Sequence, residues 1–185
     1  MKVDSNVNVK TLLPFILSVV VVILDQVTKA WIVKTIPPFT IGYQYLGDFL
    51  RIVHVSNTGV AFSMGDSMPL VLRRILFGIV PLAVIALVVV VYFRNKDFTQ
   101  VQRWAICGIV GGGIGNIIDR FFRAEGVIDF IDVKFYGIFG LKRWPTFNVA
   151  DSAVVVCGFM LLISFIVVMS KMPKAEKTGS EKKGE

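Results

Sequence analysis

Apolar residues dominate four stretches of the chain, at about 11–31, 70–93, 104–118 and 153–169, and polar, glycine and proline residues return between them. The scale for comparison is the roughly 20 residues that a helix needs to cross the hydrocarbon core of a bilayer. The third stretch is short and closes on Asn116, Asp119 and Arg120, so its helix is expected to continue through polar residues. The pattern predicts four transmembrane helices. Segment 34–69 holds Pro37, Pro38, Gly42, Gly47, Gly59 and Gly65 among Phe39, Ile41, Tyr43, Tyr45, Phe49, Ile52 and Val53. Alternation broken by turn residues predicts short strands there, forming a small aromatic sheet at head-group level. Such a sheet would cradle a lipidated or apolar ligand, or simply cap the helices. From Val127 the residues Val127, Asp129, Ile131 and Val133 alternate with Ile128, Phe130, Asp132 and Lys134, which fits a strand or a surface-lying amphipathic helix. Segment 134–144 is only loosely patterned.

Charge orients these elements. Lys2 and Lys10 precede the first span, Arg94, Lys96 and Arg103 lie between the second and third, and Lys171, Lys174, Lys177, Lys182 and Lys183 follow the fourth. By the positive-inside rule those regions are cytoplasmic, and four crossings put both termini on that side. Segments 34–69 and 122–146 then face outward, although Arg51, Arg73, Arg74, Arg123, Lys134, Lys142 and Arg143 dilute the asymmetry. The fold class is an all-α membrane protein of four transmembrane helices with a small extracytoplasmic β-sheet on the outer side. One membrane-embedded domain covers 1–172, and the polar, Lys-rich stretch 173–185 reads as a disordered cytoplasmic tail. Residues 1–24 look like a signal peptide, but no small-residue cleavage site follows and the apolar run continues, so the segment is expected to stay attached as the first helix.

Composition sharpens this picture. Of 185 residues, 55% are hydrophobic, and the mean hydropathy is +0.70. A soluble domain of this size could hardly bury so much apolar surface, so lipid must be the solvent. The net charge of +7 and pI near 9.6 come from residues that flank spans. They point to anionic lipid head groups and not to nucleic acid. Cys107 and Cys157 fall inside apolar runs and read as small buried hydrophobes, with no disulfide assigned.

Which chemistry remains is decided by elimination. The chain has one histidine, His54, with no HExxH pair and no cysteine cluster, so no metal site or cofactor is expected. A serine enzyme needs a base beside its nucleophile, yet there is no GxSxG turn and Ser56, Ser63 and Ser152 have no histidine to serve them. Lys29 could act as a base, but it lies four residues after Asp25 and most simply pairs with it. What is left is a collection of polar groups at the outward ends of the helices: Asn57, Asn116, Asp119, Arg120, Asp129, Asp132, Asn148 and Asp151. Ionisable groups at the edge of hydrocarbon cost several kcal/mol unless paired, so such a cluster calls for a functional account.

Each member also has a plain structural reading. Asn148 and Asp151 resemble a helix-capping pair, Asn57-Thr58-Gly59 a turn, Asp129 the polar side of a strand, and Arg120 a side chain reaching to the interface. Two carboxylates sharing one site, however, cannot both ionise easily, so one keeps a proton while the other accepts one from water. That is the equipment for metal-free amide hydrolysis. Burial opposes the charged forms, and the helix N-terminus at Asp151 and the Arg120 guanidinium favour them.

Five segments then carry a resemblance. They are Leu24-Asp25-Gln26-Val27-Thr28-Lys29, Ser56-Asn57-Thr58-Gly59-Val60-Ala61-Phe62-Ser63, Gly111-Gly112-Gly113-Ile114-Gly115-Asn116-Ile117-Ile118-Asp119-Arg120, Val127-Ile128-Asp129-Phe130 and Phe147-Asn148-Val149-Ala150-Asp151. In this order they resemble the lipoprotein signal peptidases, or signal peptidase II, from the first span to the fourth. The resemblance implies an aspartic endopeptidase of the bacterial inner (cytoplasmic) membrane. Such an enzyme removes the signal peptide from prolipoproteins by cutting before the cysteine that carries diacylglyceryl. It further implies Asp129 and Asp151 as the catalytic pair. Asn57, Asn116, Arg120 and Asn148 would hold substrate or orient the aspartates, and Asp25 would support the first helix. Lipid-modified prolipoproteins, membrane lipids and globomycin-type peptide inhibitors are the partners it implies.

Two other classes stay open on the residues alone. A small proton or ion carrier would use Asp25, Asp119, Asp129, Asp151 and Arg120 as a polar path through the membrane depth, whereas these groups gather toward one side. A non-enzymatic adaptor would bind lipoprotein precursors and use its aspartates only as caps.

Overall fold

The computed structural model describes residues 8–58, 68–69, 71–72 and 75–171. Lys2, the turn glycines Gly59 and Gly65, Ser63, Arg73, Arg74 and the Lys-rich tail lie outside the described residues.

Among the described residues four helices are long and apolar enough to cross a membrane, spanning Val9–Thr35, Ile75–Arg94, Gln100–Phe122 and Val149–Lys171. Their regular parts are α1 (Phe15–Thr35), α2 (Val80–Arg94), α3 (Gln100–Phe122) and α4 (Val149–Lys171). Pro14 at the start of α1 breaks the span after a short turn, Val9–Leu12, because proline has no N–H to continue the hydrogen-bond ladder. A π-helical turn, Ile75–Ile79, leads into α2. The third helix does run on through its polar end to Phe122, four residues beyond the apolar run.

Helix α3 is the centre of the bundle. Thr99 caps it, accepting from the Gln102 amide while the Gln102 side chain accepts from the Thr99 amide, a closed capping box. Its glycines face the neighbouring backbones. A Cβ on Gly111 would sit 2.7 Å from Ser18 Cα of α1, and one on Gly112 would strike the Ala150 carbonyl of α4. Small residues at these points let helix backbones touch, which is how packing is gained between helices in lipid. Ser18 Oγ adds a hydrogen bond to the Cys107 carbonyl at 2.6 Å. Helix α2 holds on through buried Tyr92, whose hydroxyl donates to the Thr11 carbonyl at 2.6 Å and whose ring packs with Ile106, Cys107 and Val110. Both cysteines are free, buried thiols.

The segments between α1 and α2 and between α3 and α4 supply a three-stranded antiparallel sheet in the order β1 (Ile41–Tyr45), β2 (Leu50–Asn57), β3 (Val127–Val133). The alternating stretch at 127–133 is therefore a strand, set against β2 with Val55 opposite Asp129 and Asn57 opposite Val127. Ile128 and Phe130 pack on Ile32 and Ile36 at the end of α1, fixing the sheet to the bundle. Beyond β3 the chain folds into a hairpin, with Lys134 bridged to Arg143 and a one-turn 3₁₀ helix at Ile138–Gly140. It returns beside β3 through Phe147, which exchanges backbone hydrogen bonds with Ile131, and enters α4.

Gly112→Val forces the α3–α4 contact apart and lowers stability by about 1–3 kcal/mol, the usual cost of overpacking. Gly158→Ala, where an added Cβ meets nothing within 4 Å, leaves thermal unfolding in detergent unchanged or slightly raised. Equal loss in both variants would contradict the close-packed role of Gly112.

Candidate active site

Beneath the sheet lies an ionic node with no exposed atom at its centre. Asp25 and Lys29 stand one turn apart on α1, as their spacing predicts, with the ammonium 2.7 Å from Asp25 Oδ2. The same ammonium is 2.7 Å from Asp119 Oδ2 on α3 and 3.0 Å from Asn116 Oδ1. Its three donors are thus all engaged. Asp25 Oδ1 accepts from the Ala150 amide in the first turn of α4 at 3.0 Å. Asp119 accepts from Arg123 at 2.9 Å and from the Ile128 amide of β3 at 3.4 Å. Gln26 bridges Asp25, Asp119 and the Gly115 carbonyl. One buried cation therefore ties three helices and a strand together.

The node also dictates how the amides above it are turned. An ammonium only donates, so the atom of Asn116 facing Lys29 is the oxygen, and its Nδ2 must point the other way, to Asp151 Oδ1 at 2.7 Å. The backbone amide of Asp151 likewise only donates, so it takes Asn148 Oδ1 at 2.9 Å. That turns Asn148 Nδ2 toward Asp129 Oδ1 at 2.7 Å and Asn116 Oδ1 at 3.1 Å. The Asn148 backbone amide reaches Asp151 Oδ2 at 3.2 Å, so Asn148 and Asp151 form a reciprocal cap at the start of α4. Asn57, at the end of β2, donates to Asp129 Oδ2 at 3.0 Å. Capping and site-building are here the same set of bonds.

The Asp129 and Asp151 carboxyls are consequently linked through a single residue, Asn148, by its side-chain amide and its backbone amide respectively, and face a common cavity of about 620 Å³. Asn57, Asn116 and Arg120 line it with them, and Leu141, Trp144 and Phe147 of the returning hairpin form its other wall. The Arg120 guanidinium lies over the Phe77 ring at 5.5 Å. Burial pushes the Asp129 carboxyl from 3.8 up to about 7, with the Asp151 charge adding to the rise and the Asn57 and Asn148 amides opposing it. An acid that is half protonated near neutrality stands beside a second carboxyl in the first turn of a helix, where backbone amides converge. Among the described residues no three of His, Cys, Asp and Glu converge as a metal-holding group.

The family of chains described as Signal peptidase (SPase) II matches residues 17–167. The chain belongs to the signal peptidase II family. A lipoprotein signal peptidase of Treponema pallidum is 52% identical over 170 residues, covering 90% of this chain and 91% of that protein. One from Treponema denticola is 46% identical, covering 88% and 93%. A bacterial membrane enzyme solved by the in meso method at 2.3 Å resolution superposes with a TM-score of 0.73 at 27% identity, over 89% of this chain and 94% of that one. The chain is an aspartic peptidase of the multi-pass membrane type, and as a signal peptidase II it acts on prolipoproteins. The carrier and adaptor readings receive no support from these relatives.

Of the residues singled out from sequence, Asn57, Asn116, Arg120, Asp129 and Asp151 line the cavity together, and Asn148 is buried behind them, bonded to Asp129. Asp25 lies below them and acts through Lys29 and Ala150. Asp132 is elsewhere, paired with Arg143 at 2.6 Å, and His54 bonds the Ile36 carbonyl. Sequence reasoning saw the Asp25–Lys29 pair but missed its third partner, Asp119, and missed Gln26. The available signal was the run of polar side chains at positions 25, 26 and 29 in an otherwise apolar span.

Two expectations follow from this geometry. Because the folded Asp129 carboxyl titrates at about 7 and the unfolded one at 3.8, its contribution to stability is full below pH 4 and is lost as pH rises through 7. The loss is on the order of 4 kcal/mol. Asp129→Asn removes this dependence, so the variant gains on wild type between pH 4 and 7 in thermal unfolding, and parallel curves would disprove the burial effect. Lys29→Met strands two buried carboxylates and costs about 3–5 kcal/mol. Combining it with Asp25→Asn recovers part of that loss, and strict additivity of the two changes would deny the coupling.

Proposed function

We propose that Asp129 and Asp151 hydrolyse the peptide bond preceding a diacylglyceryl-modified cysteine in prolipoproteins, at the outer face of the bacterial inner membrane. The observation that carries this is the pair of carboxyls bound to one asparagine and facing one cavity, with Asp129 poised near neutrality. In this reading Asp151 takes a proton from water, whose oxygen attacks the scissile carbonyl carbon. Protonated Asp129 donates to the carbonyl oxygen and stabilises the tetrahedral intermediate. On collapse the C–N bond breaks, the carbonyl oxygen returns its proton to Asp129, Asp151 passes its proton to the departing amine, and the signal peptide leaves with a new carboxyl terminus. Neither metal nor covalent intermediate is required.

Asn57, Asn116 and Asn148 hold the two acids through the bonds given above, Arg120 binds the substrate backbone, and Asp25 keeps Lys29 in place beneath them. In this reading both termini are cytoplasmic, supported by the basic residues at Lys10, Arg94, Lys96, Arg103 and Lys171. The peptidase is one domain over 1–172. Membrane lipids surround it, and globomycin-type peptides compete with substrate by occupying the same cavity.

The test is cleavage of a diacylglyceryl-modified prolipoprotein by purified protein with a metal chelator present. Wild type cleaves, whereas Asp129→Asn and Asp151→Asn each fall by about 10²–10⁴-fold while retaining the thermal transition of a folded protein. Sustained cleavage by either folded variant would move the chemistry to other residues, and sensitivity to chelator would overturn the metal-free mechanism.

A further inference from the structure

Among the described residues four that are not glycine hold a positive φ: Phe39 at 58°, Leu46 at 52°, Tyr136 at 54° and Phe139 at 54°. All four are large and apolar or aromatic. Three are followed by a glycine that is also at positive φ, Gly47 at 72°, Gly137 at 85° and Gly140 at 78°. Paired left-handed positions in tight turns favour Asn-Gly or Asp-Gly, because a short polar side chain bonds locally there, whereas Leu, Tyr and Phe meet a steric cost. These side chains are moreover exposed, Leu46 by 83%, Tyr136 by 69% and Phe139 by 89%. Strained backbone that presents apolar groups outward persists when its surroundings enforce it and something apolar covers it.

The surroundings do enforce it. Leu46-Gly47 turns β1 into β2, and Tyr136 to Gly140 is the tip of the hairpin after β3. Asp48 clamps the two turns, with Lys134 at 2.8 Å, Arg51 at 3.3 Å and Arg143 at 3.7 Å from its carboxylate. Arg143 also donates to the Asp48 carbonyl at 3.0 Å and to both Asp132 oxygens, and Phe49 stacks on Tyr136. The apolar groups therefore ride on one braced end of the sheet.

What covers that end is indicated by its neighbours. Tyr43, on the strand that leads to Leu46, stacks on Trp31 with centroids 6.0 Å apart and planes within 10°. Trp31 lies one turn before the end of α1 and, with Val27 four residues earlier, is exposed on the side of that helix that lipid covers. The aromatic side of β1 is thus continuous with a lipid-covered helix face, in the manner of an interfacial aromatic belt. The cations Arg51, Lys134 and Arg143 outnumber the carboxylates Asp48 and Asp132 around the tip, which suits anionic head groups.

We propose that Leu46, Tyr136 and Phe139 form a membrane-interface anchor, seated among the head groups and upper acyl chains of anionic phospholipid. The same hairpin contributes Leu141 and Trp144 to the cavity wall, so the anchor holds the cavity mouth at a fixed depth. The benefit to a lipid-attached substrate rests on the function proposed above, but the seating does not.

The test reads depth directly, without catalysis. Spin labels are placed on Leu46→Cys, Phe139→Cys and, as the aqueous reference on the same hairpin, exposed Lys142→Cys, in nanodiscs of phosphatidylglycerol and phosphatidylethanolamine. Cys107 and Cys157 are buried, and wild type carried through the labelling gives their background. Collision with oxygen, which concentrates in lipid, relative to a water-soluble nickel chelate is expected to be at least about threefold higher at 46 and 139 than at 142. Equal ratios at all three sites would overturn the anchor. Shielding from both reagents with dipolar coupling between labels on different molecules would overturn it in favour of a second copy as occupant. In the same nanodiscs Leu46→Asn with Phe139→Asn raises KM for membrane-bound prolipoprotein and leaves kcat unchanged, so an inactive wild type would count against the proposed function and leave the depth result standing.

Discussion

The charge of Lys29 is the constraint on which the rest depends. An ammonium removed from water is costly unless every proton finds an acceptor and the charge is balanced. Here the acceptors come from two helices, Asp25 on α1 and Asn116 and Asp119 on α3, and the two carboxylates are tied onward to α4 and β3 through the Ala150 and Ile128 amides. No arrangement in which one of these elements drifts away keeps the charge satisfied. The node therefore sets the relative position of the helices at their polar ends, and hydrophobic packing alone could not do so in lipid, where any apolar face is equally at ease.

The short side chains of the node demand close backbones. An aspartate reaches only a few ångströms, so α1, α3 and α4 have to approach almost to contact, and the glycines of α3 allow it. A Cβ at Gly115 would lie 2.7 Å from Asp25 Oδ2, in the space the carboxylate occupies. The glycine-rich run of α3 and the polar residues that follow it are thus two halves of one device. The first brings the helices together, and the second uses the contact. The same logic extends upward, since the orientation of Asn116 is imposed by Lys29, and Asn116 with Asn148 in turn presents donors to the two aspartates.

Much of this was legible because lipid makes sequence patterns blunt. Four apolar runs announce four helices, and a charged residue within or beside them must have a partner, so Asp129, Asp151, Asn116 and Asn148 stood out against their surroundings. The Asp25–Lys29 spacing gave the first contact of the node. Its third arm did not follow, because Asp119 approaches from a distant part of the chain and no local period records that meeting. Strand β3 was ambiguous for a related reason, since seven residues buried almost throughout fit either a strand or a helix until the pairing with β2 is known. The hairpin at 134–144 was harder still. Its turns place Tyr136 and Phe139 where turn chemistry calls for Asn or Asp, so local rules pointed away from the conformation that Asp48 and Arg143 enforce.

Stability and reactivity meet at Asp129. Its carboxyl is held where burial opposes ionisation, which keeps a proton available near neutrality and costs folding energy once that proton is lost. The scaffold beneath it is held by other contacts, with Lys29 matched by Asp25 and Asp119 inside the bundle and the sheet held to α1 by Ile32, Ile36, Ile128 and Phe130. The reactive acid sits at the edge of the node, bonded to neutral amides from β2 and from the segment just before α4, and not inside the charged set itself. That placement keeps the proton of Asp129 outside the set of contacts that hold α1, α3 and α4 together.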